Sequence, residues 1–139
     1  MIDTVITVDN PVEKVFKRWS EEAAKPICGK NYSMDMSKIP ATFPYMRMMY
    51  MGGITTQGDL EGDECATNIS FQIESFANGS NSLSKVYQMD DASHKCMVGM
   101  GFRRTYQNRI ENSDSKIKRV VSRYIQIYTG QLLGEKVSS

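Results

Sequence analysis

Four carboxylates crowd the stretch Gly58-Asp59-Leu60-Glu61-Gly62-Asp63-Glu64. Asp59, Glu61 and Asp63 alternate like the oxygen ligands of a calcium loop. Glu64, however, stands where such a loop turns on a glycine, and no glutamate occupies its closing position. The stretch therefore reads as a solvated acidic connection between two strands, longer than a tight hairpin and of a length that often carries function. His94, the only histidine, lies four residues from Asp90. A histidine–carboxylate pair can do acid–base work. No G-x-S-x-G elbow, cysteine motif or metal motif accompanies it, so an exposed i,i+4 pair on a helix is the plainer reading. Arg103, Arg104 and Arg109, with Lys116, Lys118, Arg119 and Arg123, cluster near the end of the chain, and Tyr106, Tyr124 and Tyr128 interleave with them. Basic groups among aromatics bind single-stranded nucleic acid, but they also guard exposed strands against stray pairing. The same charges suit subunit contacts with the acidic stretch. Gly52-Gly53 and Gly58 lack the lysine and the following helix of a phosphate loop. No catalytic residue, metal or cofactor is expected.

The elements that must position these groups centre on residues 67–104. Ile69, Phe71 and Ile73 alternate with Asn68, Ser70, Gln72 and Glu74, the pattern of a strand with one face on a core and one in water. Ala77-Asn78-Gly79-Ser80-Asn81 breaks it. Ser82 is placed to cap a helix lasting to about Met100, with Gly101 as its stop. Val86, Met89, Ser93, Met97 and Met100 form one stripe, with Leu83 beside it and Ala92 and Cys96 widening it; Lys85, Asp90, Asp91 and Lys95 face away. Two strands follow, Phe102 to Glu111 and Ile117 to Thr129, joined by Asn112-Ser113-Asp114-Ser115 as a hairpin. On the longer one, Arg119, Val121, Arg123, Ile125 and Ile127 share a face.

Earlier in the chain, Met1 to Val8 is ambiguous between helix and strand. Asn10-Pro11-Val12-Glu13 marks a helix start, and Val12, Val15, Phe16, Trp19 and Ala23 give it an apolar side that ends before Pro26. Residues 26–42 are mostly loop, with a short extended piece near Asn31–Met34. Tyr45, Arg47 and Met49 then alternate with Met46, Met48 and Tyr50 up to Gly52-Gly53. Such a strand is covered on both faces, or meets another molecule on one, for which methionine is an adaptable residue. The expected architecture is α+β: a mostly antiparallel sheet of about four or five strands with two main helices packed on one face. The 139 residues fit one domain, with 130–139 a weakly patterned, flexible tail.

Bulk properties narrow the function. A net charge of +1 implies no general attraction to nucleic acid or anionic lipid. No apolar run nears the roughly 20 residues that span a bilayer, and the first residues lack a secretory pattern. Three cysteines, Cys28, Cys65 and Cys96, share no metal-ligand spacing and give no even disulfide set, which points to a reducing cytoplasm. The residues argue against an enzyme and for an assembly subunit.

Three pieces carry a resemblance. Phe43-Pro44-Tyr45 opens a strand. Gly58-Asp59-Leu60-Glu61-Gly62 is followed by Ser70-Phe71-Gln72-Ile73-Glu74. Met100-Gly101-Phe102-Arg103-Arg104 is followed, beyond a turn, by Arg119-Val120-Val121-Ser122-Arg123-Tyr124. In this order and spacing, over residues 43–128, the chain resembles the tail-terminator (tail-completion, head–tail joining) proteins of long-tailed bacteriophages and related prophages. Asn10-Pro11 departs from it by interrupting what that family has as one longer first helix. The resemblance implies a small structural subunit that closes into a ring, typically of six, in the tail–neck region of the virion. The ring caps the tail tube, ends its polymerisation and meets a head-connector protein, and DNA passes through its channel without specific recognition. It carries over no catalytic residues and implies no membrane. The surfaces expected to serve such a ring are Asp59, Glu61, Asp63 and Glu64, at the channel or a subunit contact. Tyr45, Arg47, Met49, Arg103, Arg104, Arg109, Arg119 and Arg123 are expected at the subunit interface. A head-closure or minor capsid protein, and more distantly a small nuclease, are the competing readings.

Overall fold

A computed structural model describes residues 11–34, 42–55, 67–110 and 116–128. The expectations for Met1–Val8, the Asn10 cap, the acidic stretch with Asp59, Glu61, Asp63 and Glu64, the polar turn at 112–115 and the tail lie outside the described residues. Pro11, whose ring pre-sets a helical φ, leads into α1, Val12–Trp19. A π-helical turn, Ser20–Ala24, and a short helix α2, Lys25–Cys28, carry the helix on. It was expected to end before Pro26 and instead runs through it. A proline ring collides with the carbonyl four residues earlier. Here that residue is Glu22, inside the π turn, where the wider backbone gives the ring room.

Five strands form one sheet in the order β1 (Tyr32–Met34), β2 (Tyr45–Thr55), β3 (Thr67–Asn78), β5 (Ile117–Tyr128), β4 (Arg103–Ile110). β1 runs parallel to β2, and every other pair is antiparallel. The fold is α+β with a mostly antiparallel sheet, as the alternation patterns predict. β2 does not stop at Gly52-Gly53. Tyr50 pairs with Phe71 and Gly52 with Ser70, so Met51 is an extra residue, a bulge, and pairing resumes to Thr55. Gly52 holds φ at 98°, which a side chain would resist.

The second main helix, α3, spans Ser82–Gly99. Asn81, in the left-handed region, precedes it, so Ser82 is its first residue rather than its cap. Gly101, φ 93°, turns the chain out of it into β4, the role expected of that glycine. Val86, Met89, Ser93, Met97 and Met100 are buried, as their spacing predicts. They pack on Ile69, Phe71 and Ile73 of β3 and on Val120 and Tyr124 of β5, in one core with Val15, Trp19, Ala23, Met46 and Met48. The two helices are pinned to each other by the buried Trp19, whose indole Nε1 donates to Ser93 Oγ at 2.9 Å. Trp19, Phe16 and the β1 residue Tyr32 form a ring cluster that seats α1 at the β1 end of the sheet.

Three expectations about facing are corrected. Gln72 and Glu74 do not face water: Glu74 is 1% exposed. β3 is the central strand, and long side chains from both neighbours lie over it. Asp90 does not face away from the core but is fully buried. Its place on the helix lies between the apolar stripe and β4, where polar partners wait. Leu83, expected beside the stripe, is 42% exposed.

Candidate functional site

On the sheet face opposite the helices, register sets Arg47 across from Glu74, Arg119 across from Phe76 and Arg123 across from Gln72. Cross-strand neighbours on one face are close enough to bond. Glu74 Oε1 accepts from Arg47 Nε (3.1 Å) and Nη2 (2.8 Å) and from Arg119 Nη2 (3.0 Å). Its Oε2 accepts from Gln72 Nε2 at 2.6 Å. Gln72 in turn accepts, through Oε1, from Arg123 Nε at 2.8 Å. The Arg47 and Arg119 guanidiniums lie over the Phe76 ring, 5.5 and 5.6 Å from its centre, and that of Arg123 lies 4.8 Å over Tyr106. Tyr45 packs on Phe76 and shares a hydrogen bond with Ser33.

This is a pre-ordered cationic surface with one carboxylate at its base. Arg47 and Arg119 meet Glu74 directly and Arg123 is linked to it through Gln72, and the buried Nε of Arg119 has no hydrogen-bond partner among the described residues. Arginine forks stacked on aromatic rings lose little freedom when they bind a planar anion. Six of the eight residues expected at an interface share this face: Tyr45, Arg47, Met49, Arg103, Arg119 and Arg123. Tyr45 is buried, Arg47, Met49 and Arg119 are half-buried, and Arg103 and Arg123 are exposed.

The other two, Arg104 and Arg109, lie on the helix face. Arg104 Nη1 stands 3.6 Å from Asp90 Oδ2. Asp90 also accepts from Ser122 Oγ and from Gln107 Nε2, both at 2.8 Å. This second cluster ties α3 to β4 and β5, and it borders an open hollow of about 480 Å³ lined by Ser84, Tyr87 and Arg104. His94 is not the exposed partner of Asp90 that its spacing suggests. It is half-buried, with Nδ1 3.4 Å from the Tyr124 hydroxyl. Neither cluster holds an activated nucleophile, and among the described residues no metal-ligand group forms.

Sequence reasoning missed Gln72, Glu74 and Phe76 as the centre of the site, and Asp90 as a buried anchor. One signal was present. Arg119 and Arg123 share a strand face with Val121, which is buried, so their charges needed a partner in the next strand.

Burial leaves a titration signature. It pushes the Cys96 thiol up to about 12, helped by Glu22, and the Cys28 thiol up to about 11. Burial, with Asp90 adding, pushes the Tyr124 phenol up to about 12. In the unfolded chain these groups titrate near 9 for the thiols and 10 for the phenol. The unfolded state therefore loses protons first, and rising pH favours it. The thermal midpoint, followed by circular dichroism under reducing conditions, is expected to vary little through these groups below pH 9. Their contribution is lost as pH rises from 9 towards 12. A midpoint that climbs over that interval would contradict this assignment.

No protein-family model and no curated protein sequence matches the chain. Among solved structures, the chain is similar to one from the virion of a native gene transfer agent particle, with a TM-score of 0.62. The match covers 81% of this chain and 90% of that chain at 10% sequence identity, so what the two share is the fold.

Proposed function

We propose that this protein is a structural subunit of a tailed, virion-type particle, and within it the tail terminator. The observation that supports the virion-subunit part of the reading is the fold shared, over 81% of this chain and 90% of the other, with a chain of a gene transfer agent virion. The sequence pieces at 43–45, 58–74 and 100–124 support it from an independent direction. In this reading the chain is one domain that closes into a ring, typically of six copies. It binds the end of the tail tube, stops its growth and presents a surface to the head connector, while DNA passes through the centre. The protein is made in the bacterial cytoplasm and resides in the particle's neck. It performs no catalysis and takes no cofactor.

The two charged surfaces have complementary roles in such a ring. The arginines around Glu74 offer neighbours a fixed cationic face. Asp59, Glu61, Asp63 and Glu64 supply an acidic segment for the channel wall or for that face on the next copy. On the channel wall they would repel DNA and keep it moving. Immunogold labelling of purified particles tests the reading. Gold is expected at the head–tail junction alone. Label spread over the capsid, or no label on intact or disrupted particles, would overturn it.

A further inference from the structure

The sheet face opposite the helices carries more positive charge than its described residues neutralise. Arg47, Arg103, Arg119 and Arg123 share it, and among the described residues Glu74 is its one carboxylate. Arg119 gives Nη2 to Glu74, and its buried Nε has no hydrogen-bond partner among the described residues. Arg123 is exposed and donates Nε to the neutral Gln72. Arg103 is exposed. Guanidiniums held over rings present their other donors in a fixed fork, which matches a carboxylate or a phosphate.

The rings decide between those two anions. Single-stranded nucleic acid binds by stacking its bases on open aromatic faces. Here Tyr45 and Phe76 are 6 and 5% exposed, and guanidiniums lie over Phe76 and Tyr106. These rings are covered, so bases find no platform on them. An acidic polypeptide needs only the forks. The chain contains such a stretch: residues 56–66 hold Asp59, Glu61, Asp63 and Glu64 and no lysine or arginine. Its charge complements a face of four guanidiniums and one carboxylate.

The stretch is badly placed to cover the face of its own copy. It joins Thr55 to Thr67, which pair at one end of β2 and β3. Glu61, at its middle, is six residues from each. Its backbone therefore reaches back roughly 20 Å from that end at full stretch. Arg47 lies eight residues back along β2, and Arg119 lies opposite Phe76, nine residues along β3. At about 3.4 Å per residue they stand roughly 27 and 31 Å away. A neighbouring copy's stretch meets no such limit.

We infer that the acidic segment 56–66 of one copy docks on the arginine face around Glu74 of a second copy. The contact joins two different surfaces, so it is head-to-tail and builds a ring or a filament. It rests on the reading of the chain as an assembly subunit, and it assigns Asp59, Glu61, Asp63 and Glu64 to that face rather than to a channel wall.

A labelled peptide of residues 56–66, titrated with the purified 139-residue chain at low ionic strength and followed by fluorescence anisotropy, tests it. Binding is expected to weaken about tenfold for Arg119→Gln and for Arg123→Gln, the loss of one charge-assisted fork. Arg123 is exposed, so its variant keeps the test open if Arg119→Gln loses stability. A peptide with Asp59→Asn, Glu61→Gln, Asp63→Asn and Glu64→Gln is expected to bind at least about tenfold more weakly. A thymidine oligonucleotide with four phosphates is expected to bind more weakly than the acidic peptide. Equal binding of the two peptides, or no effect of either arginine variant, would overturn the inference. Tighter binding of the oligonucleotide would overturn it in favour of nucleic acid. So would much tighter peptide binding by a chain carrying the same four amide substitutions, both chains sedimenting as monomers, because each copy's own segment would then fill the face. Failure of the peptide to bind, with gold at the head–tail junction, would sink this contact alone. Peptide binding with no label on particles would sink the proposed function alone.

Discussion

Glu74→Ala is expected to destabilise the fold by about 3–5 kcal/mol, the usual cost of removing one partner from a buried ion pair. The Glu74 side chain is 2% exposed, and it receives Arg47, Arg119 and Gln72. Without it, two guanidiniums stay in a poorly hydrated place and lose this carboxylate. Their attraction to Phe76 offsets only part of that. A loss of this size in a chain of 139 residues should lower the melting midpoint by about 10–20 °C. Glu74→Gln keeps the shape and an acceptor and should lose less. Replacing Arg47, Glu74 and Arg119 together with apolar residues of similar volume should recover much of the loss, because no charge is then left unpaired. Urea unfolding of the four proteins separates these outcomes. A Glu74→Ala loss under about 1 kcal/mol would place the carboxylate in a hydrated, exposed setting instead.

The same residue shows where sequence reading stops. The alternation of Ile69, Phe71 and Ile73 announced β3, and the stripe from Val86 to Met100 announced α3, because burial on one side leaves a period in the sequence. Alternation does not say what covers the opposite face. Gln72 and Glu74 look solvated in the sequence. They are buried because β3 is flanked on both sides and arginines of β2 and β5 reach across it. Asp90 misleads for a related reason: a carboxylate on a helix counts as outward until Ser122 and Gln107, which come later in the chain, are known to meet it. Strand order and register create both sites, and neither is a local property.

The errors at element ends have local causes. Pro26 was read as a stop, and the π turn before it removes the collision that makes proline one. Gly52-Gly53 was read as a strand end, and a bulge at Met51 uses the freedom of Gly52 to carry β2 onward. Of the residues expected at an interface, Tyr45, Arg47, Met49, Arg103, Arg119 and Arg123 share one face; the alternation that puts them there was read on β2 and β5, and none was read on β4. Arg103 and Arg104 were grouped because basic residues cluster there, and alternation along β4 sends them to opposite faces. Leu83 was read beside the apolar stripe and is 42% exposed, since an apolar residue on a helix reads as core until the core is seen to be filled without it.

Under the proposed function, loss of the protein should have the largest effect of all. A tail tube grows by adding identical rings, and each new ring recreates the surface that receives the next. A terminator ends the process by offering a different surface, one that binds the tube but does not repeat it. A ring of head-to-tail contacts suits that role, since closure uses up the contacts that would otherwise propagate. Removing the gene from a genome that also encodes the tail, and measuring tails by electron microscopy, tests this most directly. The account predicts tails of widely varying, excessive length with no heads attached, and recovery of uniform length when the intact chain is supplied. Tails of normal length joined to filled heads would contradict it, and filled heads that leak DNA beside normal, unattached tails would assign the protein to head closure instead.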